Sequence, residues 1–346
     1  MKYRLLGPTG LYVSELCLGT MTFGNQGFWS VMGGLQQKDV NQLVQTAYEE
    51  GINFIDTANV YSFGESESFL GQAIKDTRIP RDQMIIATKS TGIMDETANG
   101  RGQSRFHIFN EVDASLKRLQ LDYIDLYQVH GFDPLTPLEE SLGALNDVVR
   151  SGKVRYIGLC NMAAWQIMKS LGISRAKNYS EFISVQAYYS IASRDLERDV
   201  FPLLTDQGLG LMVWSPLAGG FLSGKYQRNA NAPQGARRSG EFDFPPINKD
   251  RAYSCIEAME PIAKAHGVSV ARVALAWVLA KKEVSTVIIG AKTKEQLLDN
   301  VEASSLVLSP EEILQLDTVS AIPKEYPGWM LDFQRAYRAT PPVKVK

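Results

Sequence analysis

Eight short apolar runs, each followed by a stretch of helical periodicity, and a composition that stays even from end to end predict a closed (β/α)8 barrel. Alternation of strand and helix implies a parallel sheet. Eight parallel strands with no compositional boundary favour a closed cylinder over an open doubly wound sheet. The expected division of the 346 residues is a hairpin over 1–14, the barrel over 15–305, and a C-terminal helix with its tail over 306–346, all within one domain.

In chain order, residues 1–14 hold Pro8-Thr9-Gly10 between two short extended runs, the pattern of a hairpin, here placed to close the barrel floor. Strands are expected at 15–19, 54–56, 84–89, 124–130, 154–159, 183–187, 210–214 and 286–289, each bounded by polar or glycine-rich segments. After the first, Val40, Leu43, Val44, Ala47 and Tyr48 recur at spacings of three and four, which lays one apolar face on the sheet, and Gly51 stops that helix. Val112, Leu116 and Leu119 mark a helix ahead of Asp122, and Leu138, Leu142, Leu145 and Val149 mark another that runs to Gly152, a C-cap candidate. Two long loops, 22–38 and 225–248, the second with Pro233, Gly235, Pro245 and Pro246, fall on the face where barrels carry active sites. A last helix is expected to start at Ser309, an N-cap followed by Pro310 and, three residues on, Glu312. Residues 322–346 show no clear periodicity.

Composition narrows the function. The chain is 45% hydrophobic and 21% charged with net charge -2, a pI of 6.0 and mean hydropathy -0.14, so a sizeable core fits and no basic stripe invites nucleic acid. Cys17, Cys160 and Cys255 are odd in number, far apart and in apolar surroundings, which suits reduced thiols used for packing. No apolar stretch is long enough for a signal or a membrane span, so a cytoplasmic protein is expected. The three histidines, His107, His130 and His266, stand in no metal-binding spacing, so no metal is expected.

The chemistry lies at the strand ends. Asp56, Tyr61, Lys89 and His130 fall at or just past three expected strands, and together they offer a proton donor, a cation to acidify it, an anion to hold the cation and a polar group for a substrate oxygen. Carbonyl reduction needs that set. A tyrosine titrates near 10, but an ammonium about 4 Å away at an effective dielectric near 20 is worth roughly 4 kcal/mol, or about three pK units before desolvation is counted. Each residue alone has an ordinary reading: a helix cap, a loop aromatic, a surface charge, a buried histidine. Gly219-Gly220-Phe221-Leu222-Ser223-Gly224-Lys225 has phosphate-loop spacing, but Tyr226 stands where a serine or threonine would bind magnesium. No Gly-x-Gly-x-x-Gly follows the first strand, which argues against a Rossmann domain.

The frame around these residues resembles the aldo-keto reductase superfamily from Leu5 to about Asp317. The resemblance is carried by Gly51-Ile52-Asn53-Phe54-Ile55-Asp56-Thr57-Ala58-Asn59-Val60-Tyr61, Gly64-Glu65-Ser66-Glu67, Leu70-Gly71, and Leu18-Gly19-Thr20-Met21. Asp122-Tyr123-Ile124-Asp125-Leu126, Gly152-Lys153-Val154-Arg155-Tyr156-Ile157-Gly158 and Trp214-Ser215-Pro216-Leu217-Ala218-Gly219-Gly220 extend it. It implies a (β/α)8 barrel that binds NADPH and reduces aldehydes or ketones without metal or flavin, with Tyr61 as donor. It also implies cofactor contacts: Gly19, Thr20, Met21 and Asp56; Asn161 and Gln186 on the nicotinamide carboxamide; Trp214 stacked on the ring. Ser215, Pro216, Leu217, Gly219, Gly224 and Lys225 follow the pyrophosphate, and Gly290, Lys292, Gln296 and Asn300 the adenosine end, with Lys292 facing a 2′-phosphate. Cys160 stands where the family usually has serine, and a thiol is the weaker donor. Phe28, Trp29, Met32 and Phe132 are candidates for an apolar substrate mouth. The alternative is a cofactor-binding regulatory subunit resembling the potassium-channel beta subunits of the same family, against which stands the lack of an evident partner-binding extension.

Overall fold

The computed structural model describes residues 1–228 and 243–339. Strands β1 (Tyr3–Leu5) and β2 (Tyr12–Ser14) pair antiparallel with Tyr3 opposite Ser14. Then β3 (Leu16–Gly19), β4 (Phe54–Asp56), β5 (Ile85–Ser90), β6 (Ile124–Val129), β7 (Val154–Cys160), β8 (Phe182–Tyr188), β9 (Gly210–Trp214) and β10 (Val284–Ile289) close a parallel barrel, β10 bonding back to β3. The hairpin and all eight expected barrel strands are present.

Side-chain alternation builds the interior in layers. Phe54, Ala87 and Leu126 join Leu6, Val13, Cys17 and Met212 in an apolar plug near the floor. A residue two further along a strand returns to the same face one layer up. Asp56, Lys89 and Gln128 therefore form a polar layer above the plug, and all three are buried. Outside the strands a second apolar layer is packed by the helices; Val40, Leu43, Val44 and Ala47 of helix Gln37–Glu49 belong to it, and each such leucine or valine contributes about 1.5–3 kcal/mol.

The hairpin closes the floor. Gly7 has φ 62°, and a Cβ there would lie 2.0 Å from the Ile183 carbonyl oxygen, so glycine alone fits. Arg4 reaches across the closure: its guanidinium donates to the carbonyls of Val284 (2.7 Å) and Leu279 (2.8 Å) and to Glu15 Oε2 (3.0 Å). At the other end of the chain, helix Pro310–Val319 has its capping box, with Ser309 Oγ accepting from the Glu312 amide and Glu312 Oε2 from the Ser309 amide.

Two expectations need correction. The loop after β3 carries a short 3-10 turn, Gly27–Val31, and gives way to helix at Gln37. The unpatterned tail contains helix Gly328–Ala339, in which Trp329, Phe333 and Tyr337 recur at spacing four. Leu331 on the other side and Pro327 just ahead obscured that period. Pro233 and Gly235 of the second long loop, and residues 340–346, lie outside the described residues. Among the described residues no single helix is long and apolar enough to cross a membrane.

Candidate active site

Lys89 is fully buried and uses all three of its N–H bonds: to Asp56 Oδ2 at 2.6 Å, the Thr57 carbonyl at 2.8 Å and Tyr61 Oη at 3.3 Å. An ammonium has no lone pair, so Tyr61 is the acceptor in that contact and its own proton remains available for another oxygen. Asp56 Oδ1 accepts from the side-chain amides of Gln128 and Gln186, each at 2.9 Å. Burying an ion pair is tolerable only when its remaining hydrogen-bonding groups are met, and here they are.

The electrostatics separate the three titrating groups. Burial weighs most against the Lys89 ammonium, yet Asp56, with Tyr61 and Cys160, outweighs it and holds Lys89 above its ordinary range. For Tyr61 burial prevails: the Lys89 cation pulls the phenol down, but the net displacement is upward. The acidification expected from sequence is therefore reversed in the resting pocket, because removal from water and the nearby Asp56 charge together exceed the pull of one lysine. Burial and then Lys89 hold His130 down to about 3, so its imidazole is neutral at physiological pH.

Local structure brings these groups to the mouth. Tyr61 opens the turn Tyr61–Gly64, in which Ser62 and Phe63 take φ of 49° and 52°. Left-handed backbone at two successive non-glycine residues costs on the order of 1–3 kcal/mol each, and Ser62 Oγ offsets part of it by donating to the Phe23 carbonyl at 3.2 Å. Beneath the turn, buried Glu67 accepts from Thr88 Oγ1 and Arg118 Nε, both at 2.5 Å, which ties helix Glu65–Thr77 to β5 one residue before Lys89. The Tyr61 and His130 rings meet edge-on with centroids 5.8 Å apart.

The expected cofactor residues divide. Exposed Asn161 bridges strand ends, donating to the His130 carbonyl at 3.2 Å and accepting from Trp214 Nε1 at 2.9 Å. Gln186 commits its amide nitrogen inward to Asp56 and to Gln128 Oε1 (3.2 Å). Trp214 stacks with Tyr188 at 4.9 Å and with Phe244 at 5.8 Å. Cys160 is buried and its thiol meets Gln128 Oε1 at 3.8 Å, with burial pushing its titration up. Gly19 is closed in by Ile288, and Thr20 is buried against Ser66, whereas Met21 keeps partial exposure. Between Ser215 and Gly220 the amides of Ala218, Gly219 and Gly220 donate within the turn, so the segment is folded on itself. Helix Lys294–Val301 is capped by Thr293; Gln296 accepts from the Lys292 amide and Asn300 donates to the Gly290 carbonyl, and both Lys225 and Lys292 are exposed. No helix opens at Gly224-Lys225, since residues 225–228 are non-helical, which removes the phosphate-loop reading.

Of the expected substrate contacts, Phe28 and Trp29 stack edge-on, and Trp29 in turn meets Tyr61 at 5.2 Å. Phe132 is partly exposed against Trp165. Met32 is only 4% exposed, buried within the loop after β3. Gln128 and Glu67 were not among the expected site residues. The signal for Gln128 was available: it sits two residues before His130 in a strand, hence on the same inward face.

The family model for the Aldo/keto reductase family matches residues 15–321. The oxidoreductase YrpG of Bacillus subtilis is 38% identical over 327 residues, covering 92% of this chain and 96% of its own. Versiconal hemiacetal acetate reductase of Aspergillus parasiticus is 35% identical over 95% of this chain and 99% of its own. A probable voltage-gated potassium channel subunit beta of Oryza sativa is 35% identical over 92% and 96%.

Proposed function

The chain belongs to the aldo/keto reductase family, and from that premise we propose that it reduces aldehydes or ketones to alcohols with NADPH, Tyr61 giving the proton to the carbonyl oxygen. The observation that carries the reading is the 3.3 Å contact between Lys89 Nζ and Tyr61 Oη, made by an ammonium that Asp56 holds at 2.6 Å inside the barrel. The dinucleotide, when bound, supplies the hydride. The groups at the rim fit such a cofactor: an exposed carboxamide on Asn161, the side-chain oxygen of Gln186, and exposed Lys225 and Lys292.

As negative charge grows on the substrate oxygen, the Tyr61 O–H is the nearest acid, and its oxygen already accepts from Lys89. Lys89 then stabilises the phenolate left behind, by roughly 4 kcal/mol at about 4 Å and a dielectric near 20. That help matters because burial alone makes Tyr61 a reluctant acid. Neutral His130 orients the carbonyl by hydrogen bonding and adds no charge. Lys292, beside the Thr293-capped helix end, suits a 2′-phosphate and so favours NADPH over NADH. Phe28, Trp29 and Phe132 favour aromatic or medium-chain carbonyls.

The test is NADPH consumption across aldehydes, ketones and quinones, run beside Tyr61→Phe. The variant is expected to lose at least about a hundredfold in kcat while still binding NADPH; full retained activity would show that Tyr61 is not the donor. Tight NADPH binding with no turnover of any carbonyl would favour the alternative of a cofactor-binding subunit, the Oryza relative being named a probable potassium channel subunit beta.

A further inference from the structure

We propose that Gln128 is a positioning residue for this centre: its amide fixes the rotation of the Asp56 carboxylate, and through it the place of the Lys89 ammonium beside Tyr61. The inference rests on the reading of Asp56, Lys89 and Tyr61 as the reducing centre. A carboxylate turns about a broad, soft torsion, and one ion pair on Oδ2 does not stop it. Two amides on Oδ1 do, one of them from Gln128 at 2.9 Å.

Gln128 is itself held in one orientation. Its oxygen accepts from Gln186 Nε2 at 3.2 Å and lies 3.8 Å from the Cys160 thiol, so its nitrogen is the end that faces Asp56. Asp56, Gln128 and Gln186 thus close a ring of hydrogen bonds. Gly158 leaves room for the stem, since a Cβ there would lie 3.2 Å from Gln128 Cγ and 2.7 Å from Ser184 Oγ. Gln128 is 0% exposed, so it acts on the reaction only through Asp56 and Gln186. Cys160, which departs from the family's usual serine, is one of the groups that orient Gln128.

Two variants test this. Gln128→Met keeps the length and removes the amide, and Gln128→Glu keeps the shape and, while protonated, one donor. With saturating aldehyde, Gln128→Met is expected to lose about tenfold in kcat, while the KM for aldehyde and the Kd for NADPH from fluorescence titration stay within about threefold of wild type. Gln128→Glu is expected to recover most of kcat at about pH 5, where burial and the Asp56 charge keep its carboxyl protonated. The proposal is overturned if Gln128→Met keeps kcat within about twofold, if it weakens NADPH binding as much as it lowers kcat, or if Gln128→Glu shows no recovery at low pH. Should Gln128→Met not fold, the Gln128→Glu profile alone decides. If wild type reduces no carbonyl, the proposed reaction falls, and crystal structures of wild type and a Gln128 variant still judge the positioning. A rotated Asp56 and a changed Lys89–Tyr61 separation support it; an unmoved pair overturns it.

Discussion

His130 shows how much one side chain's surroundings decide. Burial and the Lys89 cation hold its imidazole at about 3, against about 6.5 in an unfolded chain. Well above pH 6.5 neither state binds the proton and His130 contributes no pH dependence; as pH falls through that value, the unfolded chain takes up a proton that the native one refuses. Native stability is therefore lost on this account at up to about 1.4 kcal/mol per pH unit until roughly pH 3. His130→Asn cannot titrate, so between pH 7 and 5 wild type should lose roughly 2 kcal/mol relative to the variant in urea unfolding. A difference that stays constant with pH would mean the imidazole is solvated in the native mouth. The strand-end residues of this site were legible because polar side chains there have few reasons to be buried other than chemistry. Gln128 shares the inward face of its strand with His130, but it lies one layer deeper, where an inward polar side chain reads as readily as a packing partner as a functional group. The Tyr61 phenol departs from expectation for a related reason: spacing reveals the partner charge but not the depth of burial.

At the scale of elements, helix Glu65–Thr77 must cross close to helix Arg105–Leu119, and Gly71 sets the distance. A Cβ at Gly71 would lie 2.3 Å from the Leu119 carbonyl oxygen and 2.6 Å from its carbon, both backbone atoms that cannot rotate away. Gly71→Ala should therefore part the two helices at a cost of about 1–3 kcal/mol. Gly172, within helix Ala164–Lys177, has nothing within 4 Å of its Cβ position, so Gly172→Ala should stabilise by roughly 0.5–1 kcal/mol. Urea midpoints that moved the same way in both variants would refute the crossing argument. Because Glu67 rides on the displaced helix and holds Thr88, Gly71→Ala should also lower kcat. Strands and caps were readable in the chain since each obeys a local rule, the period of two or the box around Ser309. Helix Gly328–Ala339 obeys its period too, but apart from half-buried Met330 its described side chains are exposed, so no burial pattern singles it out.

In the molecule as a whole, the two ends of the barrel answer to different demands. The mouth holds the ion pair and the strained turn at Ser62 and Phe63, while the floor is apolar and sealed by the hairpin. Arg4 belongs to the seal: it bonds the carbonyl of Val284, the first residue of the last barrel strand, and that of Leu279 at the end of the helix before it, and it pairs with Glu15, which is 1% exposed. Removing one partner of a pair this buried strands the other charge, a loss of about 3 kcal/mol or more when burial is complete and somewhat less here, where Arg4 keeps 30% of its side-chain exposure. Arg4→Ala should lower the urea midpoint accordingly. Yet the lesion sits at the far end of the strands from Lys89, and a closed barrel carries its chemistry at one face and much of its stability at the other. At about 25 °C and without denaturant, kcat/KM should stay within about twofold of wild type, since the variant remains folded there. A large fall in kcat/KM with an unchanged midpoint would reverse that assignment, and would make the hairpin part of the catalytic apparatus.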